Sequence, residues 1–201
     1  MISIAIQAGG ESRRMGRNKA LVPFGGQALI AHVAARLAGL GDELFVTAKQ
    51  PDLYAFLGLP VYPDVVPGQG ALGGLLTALR RAKHPALGVI ACDMPFASPA
   101  LLQYQYQLLS EKKADIVVPL TGSGFEPLHA VYRTEVCLPV VEAAIAAGEW
   151  KLSGWFGQVE VISLAADDWG SYDPDGVVFT NLNTPDEFSK AERYARTHPG
   201  Q

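Results

Sequence analysis

ISIAIQAGGESRRMGRNK, residues 2–19, is the stretch that decides the fold. Its apolar, β-branched start predicts a buried strand, which ends in Gly9 and Gly10. Glycine lets backbone N–H groups approach an anion closely, and successive N–H groups form a concave anion site. Four cations follow at once, in a chain of net charge -4: Arg13, Arg14, Arg17 and Lys19. The stretch therefore predicts a phosphate-binding loop, with a solvated glycine-rich basic turn as the alternative.

The composition is that of a compact enzyme domain. Of the 201 residues 49% are hydrophobic, which excludes a disordered protein and is enough for a large core. The 16 basic and 20 acidic residues nearly balance, so we expect no nucleic-acid partner. No apolar run is long enough to span a bilayer, and residues 2–8 do not resemble a signal peptide. Cys92 and Cys137 are expected to be buried free thiols in a reducing cytoplasm.

Strand and helix patterns alternate along most of the chain. Strands are predicted at residues 2–8, 43–48, 61–62, 87–92, 115–120, 128–132 and 159–164. Helices are predicted at residues 28–40, 51–57, 72–83, 99–112, 135–147 and 185–196, the fourth capped by Ser98 and the last by Thr184. This alternation predicts an α/β fold, a Rossmann-like three-layer α/β/α domain with a mostly parallel sheet. We expect a single domain at residues 1–197 and a frayed tail at residues 198–201.

Polar or glycine-rich stretches follow four of the predicted strands. Ligands bind at the carboxyl ends of strands in open α/β sheets, so these stretches should meet on one face. They are Gly9-Gly10, the Thr47-Ala48-Lys49 stretch, Asp64 and Asp93.

Asp93 is a candidate ligand for a divalent cation. A carboxylate at the end of a buried apolar strand needs a partner, and Mg²⁺ is usually held by one or two carboxylates plus substrate phosphates. The alternative is a helix cap or turn residue, although Ser98 is the better cap. Asp64 is equally explained as a turn aspartate or a site residue. Gly70 belongs to a glycine set before a helix, which would admit a base or ribose or form a flexible loop.

Asn181 and Asn183 flank Leu182 directly before the last predicted helix. Thr184 and the residues after it are explained by helix capping, but the two asparagines are not. In an extended segment both side chains point to the same side, where two amides suit a polar heterocycle, or one of them could complete the metal site.

These motifs together resemble the molybdenum cofactor guanylyltransferases. The resemblance rests on the Ala8-Gly9-Gly10 loop with its downstream Lys19, on Cys92-Asp93-Met94-Pro95, on Glu126-Pro127-Leu128 and on the ending Asn181-Leu182-Asn183-Thr184-Pro185. It implies a nucleotide-diphospho-sugar transferase-like fold. It also implies transfer of GMP from GTP to the terminal phosphate of molybdenum-bearing molybdopterin, with release of pyrophosphate.

The resemblance also implies a role for each candidate residue. Lys19, Arg14 and Asp93 would be catalytic, with Mg²⁺ on Asp93. Asn181 and Asn183 would bind the acceptor. The nucleotide would be bound by Gln7, Ala8, Gly9, Gly10, Lys19, Thr47, Asp64, Gly70 and Asp93. Gln7 stands where the family usually has leucine, which places an amide of unassigned role near the nucleotide. Molybdoenzymes or their chaperones would be protein partners.

Other functions remain open at this stage. A relative with the same acceptor would use CTP, and others would act on a sugar or polyol phosphate. A nucleotide-binding regulatory domain without turnover is the non-enzymatic alternative, against which the presence of both Lys19 and Asp93 argues.

Overall fold

The structure, a computed structural model, describes residues 1–9 and 18–198. In these residues eight strands form one sheet: β1 (Ile2–Gln7), β4 (Glu43–Ala48), β5 (Val61–Pro63), β6 (Ala86–Ala91), β7 (Ile116–Thr121), β8 (Gly124–Phe125), β9 (His129–Arg133) and β10 (Val161–Leu164). Seven of them follow the order β10-β7-β9-β6-β1-β4-β5, and β8 pairs with β7. A separate hairpin is formed by β2 (Pro23–Phe24) and β3 (Gln27–Ala28).

Helices separate most of the strands. They are α1 (Leu29–Leu37), α2 (Gly70–Arg81), α3 (Pro99–Glu111), α4 (Thr134–Ala146), α5 (Ala166–Trp169) and α6 (Pro185–Thr197). Four 3-10 helices in the described residues span Lys19–Leu21, Pro51–Leu57, Phe156–Gln158 and Gly170–Tyr172. Within the two described ranges, no helix has the length and apolar character needed to cross a membrane.

The sheet is covered on both faces, which confirms the three-layer prediction. Ile2, Ile4 and Ile6 of β1 belong to a core cluster with α1 and α3, whereas Ala5 belongs to a second cluster with α2 and α4. Because successive side chains of a strand point to opposite faces, a continuous apolar strand is expected where both faces are buried. Cys92 and Cys137 are buried free thiols, as expected.

The sheet departs from a wholly parallel arrangement at β9. This strand lies between β6 and β7 and is antiparallel to both. Its connection from β7 contains only residues 122–128, which are partly taken up by β8, whereas a parallel crossover needs about a dozen residues or more. The short connection therefore dictates the antiparallel direction.

A third apolar cluster attaches α6 to the start of the chain. Leu182, Phe188 and Ala191 pack with Val22, Phe24, Leu29 and Phe96. Thr184 caps the helix as predicted, because its hydroxyl accepts from the Glu187 N–H at 3.3 Å while Glu187 accepts from the Thr184 N–H at 2.8 Å. The last segment of the chain is thereby fixed beside the segment that follows β1.

Candidate active site

A cavity of about 630 Å³ opens at the carboxyl ends of β1, β4, β5 and β6. Six of the residues proposed from sequence to contribute to the site line it: Gln7, Gly9, Lys19, Asp64, Gly70 and Asp93. The four stretches expected to converge therefore do so, through Gly9 after β1, Lys49 after β4, Asp64 after β5 and Asp93 after β6.

Lys19 and Asp93 form an ion pair at this cavity. Asp93 is 7% exposed and follows β6, and the Cys92 N–H beside it donates to the Gln7 carbonyl at 3.1 Å. Lys19 begins a 3-10 helix that is capped by Asn18, whose Oδ1 accepts from the Ala20 N–H at 3.1 Å. The Asn18 cap thus positions Lys19, and the pairing of β6 with β1 positions Asp93. These are two of the residues that were expected from the sequence to be catalytic.

Asn183 brings the last segment of the chain to the same charges. Lys19 Nζ donates to Asn183 Oδ1 at 2.9 Å. The Leu182 N–H donates to the Asp93 carbonyl at 3.0 Å, and the Asn183 N–H donates to Glu187 Oε2 at 2.6 Å. The bond from the Asn183 N–H is the main cause of a lowered pKa for Glu187. The capping box of α6 therefore holds Asn183 against Lys19.

Asp64 lies in another part of the cavity wall, directly after β5. Burial raises the pKa of its carboxyl, although the charge of Lys49 acts in the other direction. Its Oδ1 is buried and has no hydrogen-bond partner in the described part of the chain. A Cβ on Gly9 would lie 3.8 Å from Asp64 Oδ2, so the glycine after β1 and this carboxylate are close neighbours. An unsatisfied carboxylate in a cavity wall suits a cation or a hydrogen-bond donor.

The glycine-rich start of α2 forms another part of the wall. Gly68 and Gly70 have φ values of +86° and +54°, in the left-handed region that favours glycine. Gln7 Nε2 donates to the Ala71 carbonyl at 2.8 Å, which ties this wall to the end of β1.

Other predicted residues are placed away from the cavity or are not described. Thr47 is fully buried in β4 and, like Ala8, is not among the described residues that line the cavity. Asn181 Nδ2 donates to the Phe179 carbonyl at 3.2 Å and does not share the contact that Asn183 makes with Lys19.

Gly10 and Arg14 lie outside the described residues. Lys49 belongs to a stretch that was expected at this face from its position after a strand, and it lines the cavity, although the sequence gave it no role of its own.

Comparisons with known proteins match nearly the whole chain. A family model described as a MobA-like NTP transferase domain matches residues 4–160. A probable molybdenum cofactor guanylyltransferase of Carboxydothermus hydrogenoformans is 35% identical over 189 residues, which are 94% of each chain. The molybdenum cofactor guanylyltransferase of Syntrophotalea carbinolica is 30% identical over 198 residues, 98% of this chain and 92% of the relative.

A solved structure has the same fold. The crystal structure of molybdopterin-guanine dinucleotide biosynthesis protein A from Archaeoglobus fulgidus superposes with a TM-score of 0.85 at 26% identity, covering 98% of this chain and 100% of the other. Since the family model spans well over half of the chain and the relatives match over almost its full length, the chain belongs to the MobA-like NTP transferase family.

Proposed function

We propose that this protein transfers GMP from GTP to the terminal phosphate of molybdenum-bearing molybdopterin and releases pyrophosphate. The names of the relatives support this activity. The observation that carries it is the ion pair of Lys19 and Asp93 in the wall of a glycine-lined cavity, with Asn183 hydrogen-bonded to Lys19.

The reaction is a displacement at phosphorus. An oxygen of the acceptor phosphate forms a bond to the α-phosphorus of GTP, and the bond from that phosphorus to the oxygen bridging to the β-phosphorus breaks. The attacking oxygen is already anionic, so the protein needs neither a nucleophile nor a strong base. Its task is to align the two substrates and to offset their crowded negative charge.

Lys19 supplies positive charge where pyrophosphate leaves. Its ammonium is held by Asp93 and Asn183, so it needs little reorganisation as charge develops on the leaving group. Arg14 would assist it, and the backbone N–H groups of Gly9 and Gly10 would hold phosphate or ribose. The Ala8 N–H, which was expected to join them, donates instead to the Thr47 carbonyl at 2.8 Å.

The carboxylates of this cavity fit a magnesium ion. Asp93 is nearly buried and balanced by a cation, and Asp64 presents a buried oxygen without a partner among the described residues. Mg²⁺ is a hard cation that prefers such oxygens together with substrate phosphates, so Asp93 would hold it. When bound, the ion adds positive charge against the phosphates of the nucleotide.

The proposal also defines the surroundings of the reaction. GTP and molybdenum-bearing molybdopterin are the substrates, and molybdoenzymes or their chaperones receive the product. The buried free thiols of Cys92 and Cys137 suit the reducing cytoplasm.

Pyrophosphate release with each nucleotide tests the proposal. The protein is incubated with Mg²⁺, molybdenum-bearing molybdopterin and GTP, CTP, ATP or UTP in turn, and we expect release with GTP. Omission of molybdopterin is the control for simple hydrolysis. Fastest release with CTP would assign the cytidylyl reaction instead, and release with a sugar or polyol phosphate alone would change the acceptor. Nucleotide binding without any release would indicate a regulatory domain.

A further inference from the structure

Asn18 directly precedes Lys19, and both sides of its amide are hydrogen-bonded. Its Oδ1 accepts from the Ala20 N–H at 3.1 Å and so caps the 3-10 helix Lys19–Leu21. Its Nδ2 donates to the Tyr54 hydroxyl at 2.8 Å. Because an N–H can only donate, the amide atom that faces Ala20 must be the oxygen, which leaves the nitrogen for Tyr54. A turned amide would set its nitrogen against the Ala20 N–H and lose the cap.

Tyr54 comes from another part of the fold and is fixed in the core. It lies in the 3-10 helix Pro51–Leu57 that follows β4, and it is 1% exposed. It belongs to the same apolar cluster as Ala20. A buried hydroxyl needs a hydrogen-bond partner, and Asn18 supplies a donor to it. The tyrosine ring therefore presents a fixed acceptor to the residue before Lys19.

The backbone at Lys19 depends on Asn18, whereas the ammonium is held elsewhere. The Leu21 N–H donates to the Asn18 carbonyl at 3.1 Å, so both the carbonyl and the side chain of Asn18 support this short helix. The ammonium contacts Asp93 and Asn183 at the far end of a flexible side chain. Substrate phosphates compete for the ammonium, but they do not compete for the bonds of Asn18. The support at the base of the side chain therefore persists when its contacts at the tip are exchanged.

We propose that Tyr54 and Asn18 are positioning residues for Lys19. The Tyr54 hydroxyl keeps the Asn18 amide in the orientation that caps Lys19–Leu21, and this cap determines where the ammonium meets the leaving pyrophosphate. Neither residue is among the described residues that line the cavity, so both act through Lys19. The inference rests on the proposed function in taking pyrophosphate as the leaving group.

Tyr54→Phe tests this role, because it keeps the buried ring and removes the hydroxyl. We expect kcat for pyrophosphate release to fall by about tenfold and the KM for the nucleotide to change by less than about twofold, since a misplaced Lys19 loses mainly transition-state stabilisation. Tyr132→Phe is the matched control. Tyr132 is also fully buried and donates to the Pro127 carbonyl at 2.6 Å, but it belongs to the cluster on the other face of the sheet. It should keep the wild-type kcat, whatever it does to the thermal midpoint.

Double variants show whether the hydroxyl acts through Asn18 and Lys19. Tyr54→Phe should lower kcat no further when it is added to Asn18→Ala or to Lys19→Ala, because the contact that it serves is already lost. Asn18→Asp is the conservative variant, since a carboxylate accepts both from the Ala20 N–H and from the Tyr54 O–H. It should keep kcat within about threefold of wild type, whereas Asn18→Ala should lose about tenfold.

Every rate is measured with the nucleotide that the wild-type protein turns over fastest, so the identity of the base does not affect the result. A folded Tyr54→Phe protein with wild-type kcat would overturn the inference alone. So would an equal loss from Tyr54→Phe in the wild-type and Lys19→Ala backgrounds, as a general structural role would give. If Tyr54→Phe does not fold, a wild-type kcat in Asn18→Ala decides against the inference. A wild-type protein that releases no pyrophosphate would instead overturn the proposed function, and this inference with it.

Discussion

The charged end of the site and its glycine wall are built in different ways. The charged end consists of Lys19, Asp93 and Asn183, which come from three distant parts of the chain and are joined by an ion pair and a charge-assisted hydrogen bond. In the glycine wall, Gln7 at the end of β1 donates to the Ala71 carbonyl at the start of α2. The charged end therefore depends on contacts across nearly the whole chain, and we expect substitutions there to have the largest effects on the rate.

Lys19→Ala is the change with the largest expected effect, and it tests the charged end directly. We expect kcat to fall by roughly a hundredfold or more, because the ammonium acts mainly on charge that develops on the leaving group. Steady-state pyrophosphate release measures the rate, and a thermal melt checks that the variant is folded. Lys83→Ala is the matched control, since Lys83 pairs with Glu43 at the amino end of β4, away from the strand ends that form the cavity. A normal rate in a folded Lys19→Ala protein would remove Lys19 from the mechanism.

Asp93→Asn should have the next largest effect. The amide keeps the shape of the side chain but loses the charge that Mg²⁺ needs, so the half-saturating Mg²⁺ concentration should rise by about tenfold or more. A Mg²⁺ titration of activity, compared with nucleotide binding in the absence of metal, measures this change. Metal-free binding should change far less, and a wild-type titration curve would contradict the metal assignment.

Asn181→Ala and Asn183→Ala sharpen the comparison at its charged end. Each should weaken molybdopterin binding by about tenfold, since a buried ligand group is left unpaired, and leave GTP affinity nearly unchanged. Only Asn183→Ala should also lower kcat, because only Asn183 contacts Lys19. Separate titrations with each ligand and a kcat measurement distinguish the two residues. Reduced stability with normal binding of both ligands would indicate that the segment only caps α6.

Asp64→Asn should have the smallest of these effects, a modest rise in the thermal stability of the protein at neutral pH. Burial raises the folded-state pKa of Asp64 above its ordinary 3.8, so the wild-type protein loses stability as pH rises through that folded pKa. The neutral amide avoids this loss, so the variant's thermal midpoint should exceed the wild-type value at pH 7, on the order of 2 °C. The difference should vanish below pH 3.8, where both side chains are neutral. Melts across this pH range measure it, and a lower midpoint at pH 7 would show that the carboxylate is stabilising.

Local sequence patterns were sufficient to predict most of the helices and strands, and also that Gly9 and Asp93 lie at the same side of the sheet. The apolar run before Gly9 and the one before Asp93 are strands whose ends meet because parallel strands share an edge. The direction of β9 was missed, although the short connection of residues 122–128 excludes a parallel crossover. The β2–β3 hairpin was also missed, although Gly25-Gly26, with φ of +58° and +89°, is a typical two-residue turn.

Contacts between distant residues could not be predicted from local patterns. Asn183 is 164 positions from Lys19, and the sequence suggested a ligand for it but not a bond to the lysine. The space that Gly74 leaves for Gln7 likewise depends on how α2 packs on β1, which no periodicity specifies. These contacts result from tertiary packing, and they are the ones that complete the site.

Because α6 packs against the beginning of the chain, the active site can be completed only when synthesis of the chain is nearly finished. The ribosome makes the glycine loop and Lys19 first, and Asp93 follows several seconds later at about 5–20 residues per second. Asn183 and the apolar residues that hold α6 against Phe24 and Phe96 emerge only near the end. A nascent chain thus carries its cation and its carboxylate long before the asparagine that restrains them, and the charged end of the site is completed last.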